Sequence, residues 1–230
     1  MKINAEFSKT ACARTTEQDW MPSPMLGVDR KPLDRVGDEV ARATSIVRYA
    51  PQSHFSPHTH RGGEEFVVLE GLFQDEYGDY PVGSYVRNPP QSSHKPSSET
   101  GCVIFVKLWQ FQPDDRKHVN ILMESAKISF ANNDDNVVER MLHVDQHEHV
   151  KHVTLSANTH WQSDAEDGNE ILVLDGAVIH NQERLNKHDW LRIPNGAELH
   201  LQAGGEGAKI WLKTGNLPDI ENQIRRLESA

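Results

Sequence analysis

The chain has 230 residues, 34 acidic and 24 basic, for a formal charge of −10 with histidine neutral, a balance that argues against a grip on duplex nucleic acid. Its 37% apolar residues suffice for a folded core, yet no apolar stretch approaches the ~20 residues that a bilayer-crossing helix needs, so membrane association is not expected. The start, Met1 to Cys12, mixes Lys2, Glu6 and Lys9 with single apolar residues; it has no apolar core of a secretion signal, and a cytoplasmic address is expected.

Taken in chain order, the β-prone runs are Thr44 to Tyr49, Glu65 to Leu69, Ser84 to Arg87, Val103 to Phe111, Val150 to Leu155, Ile171 to Leu174, Trp190 to Ile193 and Lys209 to Lys213. Each is rich in valine, isoleucine or aromatics and is bounded by Gly, Pro or Asn, while helical periodicity is almost absent. The fold class is therefore all-β. Only near the end, after Pro218, do Ile220, Ile224 and Leu227 recur at helical spacing among charged residues, which predicts a short amphipathic helix that docks by packing.

Sliding the chain against itself reveals a repeat. At an offset of 105 residues, Glu65-Phe-Val-Val-Leu-Glu-Gly71 falls on Glu170-Ile-Leu-Val-Leu-Asp-Gly176, and Tyr85-Val-Arg-Asn-Pro89 falls on Trp190-Leu-Arg-Ile-Pro194. One inserted residue brings Ile104–Lys107 onto Ile210–Lys213. A unit this long suits a small barrel that buries its own core. The predicted domains are a metal-binding barrel over 16–112, a second barrel without metal ligands over 126–217, and the helix over 218–230. Residues 112–125, with Asp114, Asp115, Arg116 and Lys117, read as a solvated connector.

Thirteen histidines are unusual for this length. His58 and His60 are spaced to share a strand face, and Gly62-Gly63 supplies a turn that can return Glu64 beside them. His94 completes the set from another strand. Imidazole nitrogens with one carboxylate suit a divalent first-row metal (Zn, Fe, Ni, Mn or Cu) better than Ca or Mg. The repeat tests this reading: His58, His60, Glu64 and His94 fall on Ser163, Ala165, Asn169 and Leu199, so the four disappear as a set. Glu65 and Arg87, in contrast, fall on Glu170 and Arg192 and read as framework. A second histidine run, His143, His147, His149 and His152, reads as solvated side chains rather than a site. Phe55, Phe66, Tyr85 and Trp109 read as core before they read as a substrate box. The two cysteines, Cys12 and Cys102, supply neither a disulfide framework nor a Cys-x-x-Cys metal knuckle.

These residues resemble a known family. His-x-His-x3-Glu-x6-Gly, filled by His58, His60, Glu64 and Gly71, resembles the first cupin motif, and Gly83-x5-Pro89-x4-His94 resembles the second. Gln52, Gln91 and Ser98 stand where those motifs carry glycine or asparagine, which implies turns bent differently. The stretches Gly62–Gly71, Asp79–Pro90 and Gly101–Lys107 are similar to the cupin-like domain of ChrR-type anti-sigma factors, over roughly Trp20 to Phe111. The resemblance implies two tandem cupin (double-stranded β-helix, jelly-roll) barrels, the second degenerate, plus a short C-terminal helix. It also implies one divalent transition metal, zinc first, with Fe, Ni or Mn as alternatives, and a sensing or regulatory role in the response to oxidants. The helical sigma-binding domain of that family has no counterpart before Trp20, so stand-alone sigma-factor inhibition is not expected. The competing expectation is an Fe(II)-dependent dioxygenase cleaving a β-diketone-like or aromatic ketone substrate. The expected partners are a second copy of the chain, paired through exposed β edges, and a small-molecule ligand or oxidant at the metal.

Overall fold

A computed structural model describes residues 1–130, 135–163 and 166–227. The chain forms two compact units, one of residues 1–5, 19–122 and 221–230, the other of residues 6–18 and 123–220. Both are built almost wholly of antiparallel strands.

In the first unit the principal strands are β1 (Val28–Gly37), β2 (Ala41–Tyr49), β3 (Glu64–Asp75), β4 (Ser84–Asn88) and β5 (Cys102–Leu108). They hydrogen-bond in the order β1-β2-β5-β3-β4, with Lys2–Ile3 beyond β1 and Val119–Leu122 beyond β4. The second unit has β6 (Val137–Val144), β7 (His149–Leu155), β8 (Asn169–His180), β9 (Trp190–Ile193) and β10 (His200–Thr214). Its order, β6-β7-β10-β8-β9, with Ala11–Ala13 beyond β9, repeats the first strand for strand. The fold class read from the sequence holds: two β-barrels and a short helix, α1 (Ile220–Leu227).

Why the repeat was readable is a matter of buried charge. Glu65 on β3 lies opposite Arg87 on β4 and Lys107 on β5, and all three are at most 1% exposed. In the second unit Glu170 lies opposite Arg192 and Lys213 in the same way, again at most 1% exposed. Tyr85 donates to Glu65 at 2.6 Å, and Trp190 donates to Glu170 at 2.7 Å. Buried charges persist only when paired and hydrogen-bonded, so each row fixes the register of three strands. Glu65 and Arg87 are thus framework residues.

Apolar residues fill the two interiors differently. Phe66, Phe73, Tyr80 and Phe55 pack with Val68, Ile104 and Val106 in the first barrel. In the second, Leu199 and Leu201 join Ile171, Val173, Leu191 and Ile210. Leu199, the counterpart of His94, is therefore core.

Three segments differ from the sequence reading. Residues 119–122 of the expected connector form an edge strand on β4, Arg87↔Val119 to Ser84↔Leu122, and Asp115 pairs with Arg87 at 2.9 Å. The Ala11–Ala13 strand pairs with β9 from Ala11↔Arg192 to Ala13↔Trp190, so residues 6–18 count with the second unit. Residues 221–227 of the helix count with the first unit, because Gln223 accepts from Arg42 Nε at 2.8 Å and Arg226 donates to the Phe111 carbonyl at 3.2 Å. Arg42 and its partner Asp34 are fully buried, so a polar helix side chain answers a buried cation. No apolar periodicity signals that. Residues 228–230 of the expected helix lie outside the described residues.

Candidate metal centre

His58 sits on a two-residue strand, His58–Thr59, paired with Ser93–His94 so that His58 and His94 are directly opposite. His60 follows just past the strand, its N–H donating to the Ser92 carbonyl at 2.9 Å. The turn that follows is closed by Gly63 N–H to the His60 carbonyl at 3.4 Å. Gly63 has φ +79°, in the left-handed region that favours glycine, and Glu64 then opens β3. The three imidazole rings stand 4.6 to 5.0 Å apart between centroids, and one nitrogen from each falls within 4.8 Å of the others. Glu64 Oε2 reaches His60 Nε2 at 3.5 Å and His94 Nε2 at 3.6 Å.

The donor set fits a cation. Nε2 of His60 and Nε2 of His94 are buried and have no hydrogen-bond partner, although burying an unsatisfied polar nitrogen costs about 1–3 kcal/mol. Tautomers make the same point. His94 Nδ1 lies 3.1 Å from Asp75 Oδ2, and a carboxylate can only accept, so the proton is on Nδ1 and the Nε2 lone pair faces Glu64. His58 Nδ1 lies 3.3 Å from the Ser56 carbonyl, which leaves its Nε2 free by the same reasoning. Burial holds the His60 pKa below the usual imidazole value, only partly offset by Glu64, so the ring stays neutral and able to ligate. For His94 burial also pulls downward, but Asp75 and Glu64 outweigh it and the net shift is upward.

Asp75 and Asn88 contact the candidate ligands, and the sequence reading missed both. Asp75 accepts from the N–H of Tyr77 at 2.8 Å and from the Tyr80 hydroxyl at 3.0 Å, so its carboxylate is pinned before it meets His94. Asn88 Nδ2 lies 3.4 Å from Glu64 Oε2. The repeat held the signal. At the same 105-residue offset Asp75 falls on His180 and Asn88 on Ile193, so both vanish from the second copy along with His94 and Glu64, the candidate ligands they contact.

In the second unit Ser163 and Asn169 are buried, and the Ser163 N–H donates to the Leu199 carbonyl at 3.0 Å. The backbone juxtaposition of His58 with His94 is thus kept with the imidazoles gone. Ala165 lies outside the described residues. The other histidine run is not uniformly solvated: His147 and His149 are exposed, but His143 and His152 are buried. His143 Nε2 meets Asp145 at 3.0 Å. Among the described residues, His58, His60 and His94 are the one group of three or more potential ligands held this close.

A cavity of about 370 Å³ opens onto His58, His60 and Glu64, lined also by Tyr49, Phe55 and Trp109. Phe66 and Tyr85 are core instead. Cys102 is buried, and burial pushes its thiol up to about 11. The turns at Gln52 and Gln91 are not bent away: both residues take left-handed φ, +60° and +72°, the conformation that glycine or asparagine adopts most easily.

Tandem barrels of this topology, one of them carrying a histidine cluster, define a bicupin. Residues 8–112 match the family model of the ChrR cupin-like domain, which the first barrel resembles. No curated protein matches the chain by sequence. Among solved structures, a proposed dioxygenase of Nostoc punctiforme superposes with TM-score 0.71 at 14% identity, covering 89% of this chain and 82% of that one. The nickel(II) complex of the bacterial pirin YhhW from Escherichia coli gives 0.66 at 14% identity, covering 90% and 98%. Hazelnut (Corylus avellana) vicilin gives 0.63 at 11%, covering 90% and 86%. Likeness at these identities establishes the fold alone. Among the described residues no helix is long and apolar enough to cross a membrane.

Proposed function

We propose that this protein is a metal-binding cupin of ChrR-like type that senses or regulates in the response to oxidants, with one divalent ion, zinc first, held by His58, His60, Glu64 and His94. The observation that carries the reading is the pair of buried, partnerless Nε2 atoms turned toward the Glu64 carboxylate. Three imidazoles and one carboxylate supply the four donors that a zinc ion takes in a closed site, which suits a sensing role. A bound ion would supply charge and a Lewis-acid centre. The chain's own part is to aim three imidazoles at one point, with burial keeping that of His60 neutral.

A second reading, an Fe(II)-dependent enzyme acting on a β-diketone-like or aromatic ketone substrate, is favoured by the cavity in front of the site and by the exposure of His58. Metal analysis of protein purified without nickel resin separates the readings. One zinc per chain, lost in His94→Ala, supports the first; iron with six-coordinate geometry and oxygen uptake on such ketones supports the second. Metal far below one per chain, unchanged by His94→Ala, overturns both.

A further inference from the structure

The cavity before the histidines has a cationic wall of its own. Arg30 and Arg35, both on β1, line it. They are five positions apart, an odd separation that would send them to opposite faces of an uninterrupted strand. A bulge removes the difficulty: Pro32 lies opposite Ser45 and Asp34 opposite Thr44, so Leu33 is an extra residue and the alternation restarts. Arg30 then lies opposite Val47 and Arg35 opposite Ala43, and Val47 and Ala43 line the same cavity.

The two guanidinium groups differ in what they meet. Arg35 donates from Nε to the Gly37 carbonyl at 3.3 Å and from a terminal nitrogen to the Asp38 carbonyl. Burial first, then the charge of Arg30, pull its pKa down, so the two cations feel one another. Arg30 is half-buried, and among the described residues no carboxylate or carbonyl pairs with it. Arg48 on β2, by contrast, is compensated by Asp29 at 2.7 Å. A half-buried guanidinium on the same strand face as a second cation is unfavourable unless an anion completes it. The carboxylates of Glu39 and Glu64 also border the cavity without pairing with Arg30, and Val28, Val47, Val106 and Phe55 give the lining its hydrocarbon part.

We propose that the first barrel binds a small organic monocarboxylate, its carboxylate held by Arg30 with Arg35 adding to the field, and its apolar body against those side chains. A volume of about 370 Å³ is at the small end of ligand pockets. The Arg30 guanidinium matches one carboxylate in its fork geometry. This deepens the proposed function by naming the ligand of the metal-bearing barrel.

The test is isothermal titration of the full chain, with the metal it carries on purification, against isocaproate and against methyl isocaproate, the neutral ester of the same body. The acid should bind at least about tenfold more tightly than the ester, and Arg30→Gln should abolish that preference while metal content and melting temperature stay as in the parent. Arg30→Lys should restore part of it. Equal affinities for acid and ester, no binding of the acid, or a preference that survives Arg30→Gln overturns the proposal. Metal content is read separately: protein that carries metal without the preference sinks only the carboxylate site, and protein that keeps the preference without metal sinks only the metal reading.

Discussion

Asp75 Oδ2 stands 3.1 Å from His94 Nδ1, on the side of the ring away from Glu64. This fixes which nitrogen of His94 carries the proton and therefore which one can take a metal. Removing such an orienting carboxylate typically lowers metal affinity about 10–100-fold. Asp75→Asn should weaken metal retention by that amount in competition with a chelator while far-UV circular dichroism is unchanged. Affinity within twofold of the parent would show that His94 is oriented by packing alone.

A pH dependence is expected from the second unit. Burial depresses the His152 pKa to about 4 from an ordinary value near 6.5. Because the folded pKa is lowered, the unfolded chain binds the proton more readily. Stability from the neutral ring is complete above about pH 6.5 and is lost progressively as pH falls toward 4. The loss should be on the order of a few kcal/mol. Urea midpoints across that window should fall for the parent and fall less for His152→Gln. Parallel slopes would count against burial of a neutral ring.

The charge rows predict barrel-specific damage. Tyr85→Phe leaves Glu65 without its 2.6 Å donor, which should cost about 1–3 kcal/mol. Gly71→Ala should be more harmful. Its φ is +71°, and an added Cβ would stand 2.0 Å from the Gly101 carbonyl oxygen, so strain and overlap together reach about 2–5 kcal/mol. Thermal denaturation ranks the two; Gly71→Ala tolerated within 1 kcal/mol would refute the packing at this crossing.

The left-handed turn at Gln91 predicts a gain. Its side chain is exposed, and its N–H donates to the His60 carbonyl at 2.8 Å, so the turn buttresses His60. Asparagine tolerates this conformation better than glutamine, and Gln91→Asn should raise stability by about 0.5 kcal/mol. A measured loss would mean that the glutamine side chain contributes something of its own.

The architecture was legible because pairing in both barrels rests on residues that recur: Glu65 with Arg87 and Lys107, Glu170 with Arg192 and Lys213. The candidate ligands were legible for the opposite reason, since His94 gives way to Leu199 where the second interior is closed by apolar packing. Less was visible where a residue acts through something not written next to it. Asp75 orients a histidine nineteen residues on, Gln223 answers Arg42 from the far end of the chain, and the five-residue step from Arg30 to Arg35 makes sense only once Leu33 is seen to bulge. The strands carrying His58 and His94 are two residues each, too short to leave a period.

The membership of the end segments bears on synthesis. Ala11–Ala13 waits, after leaving the ribosome, for a partner strand made some 180 residues later. Arg42 acquires Gln223 only once a residue 181 positions further on has been made. Neither half is finished when its own stretch of message has been read, so severing the chain once in the middle would give two fragments that each lack a native piece. Co-expression of both would be needed to recover the whole.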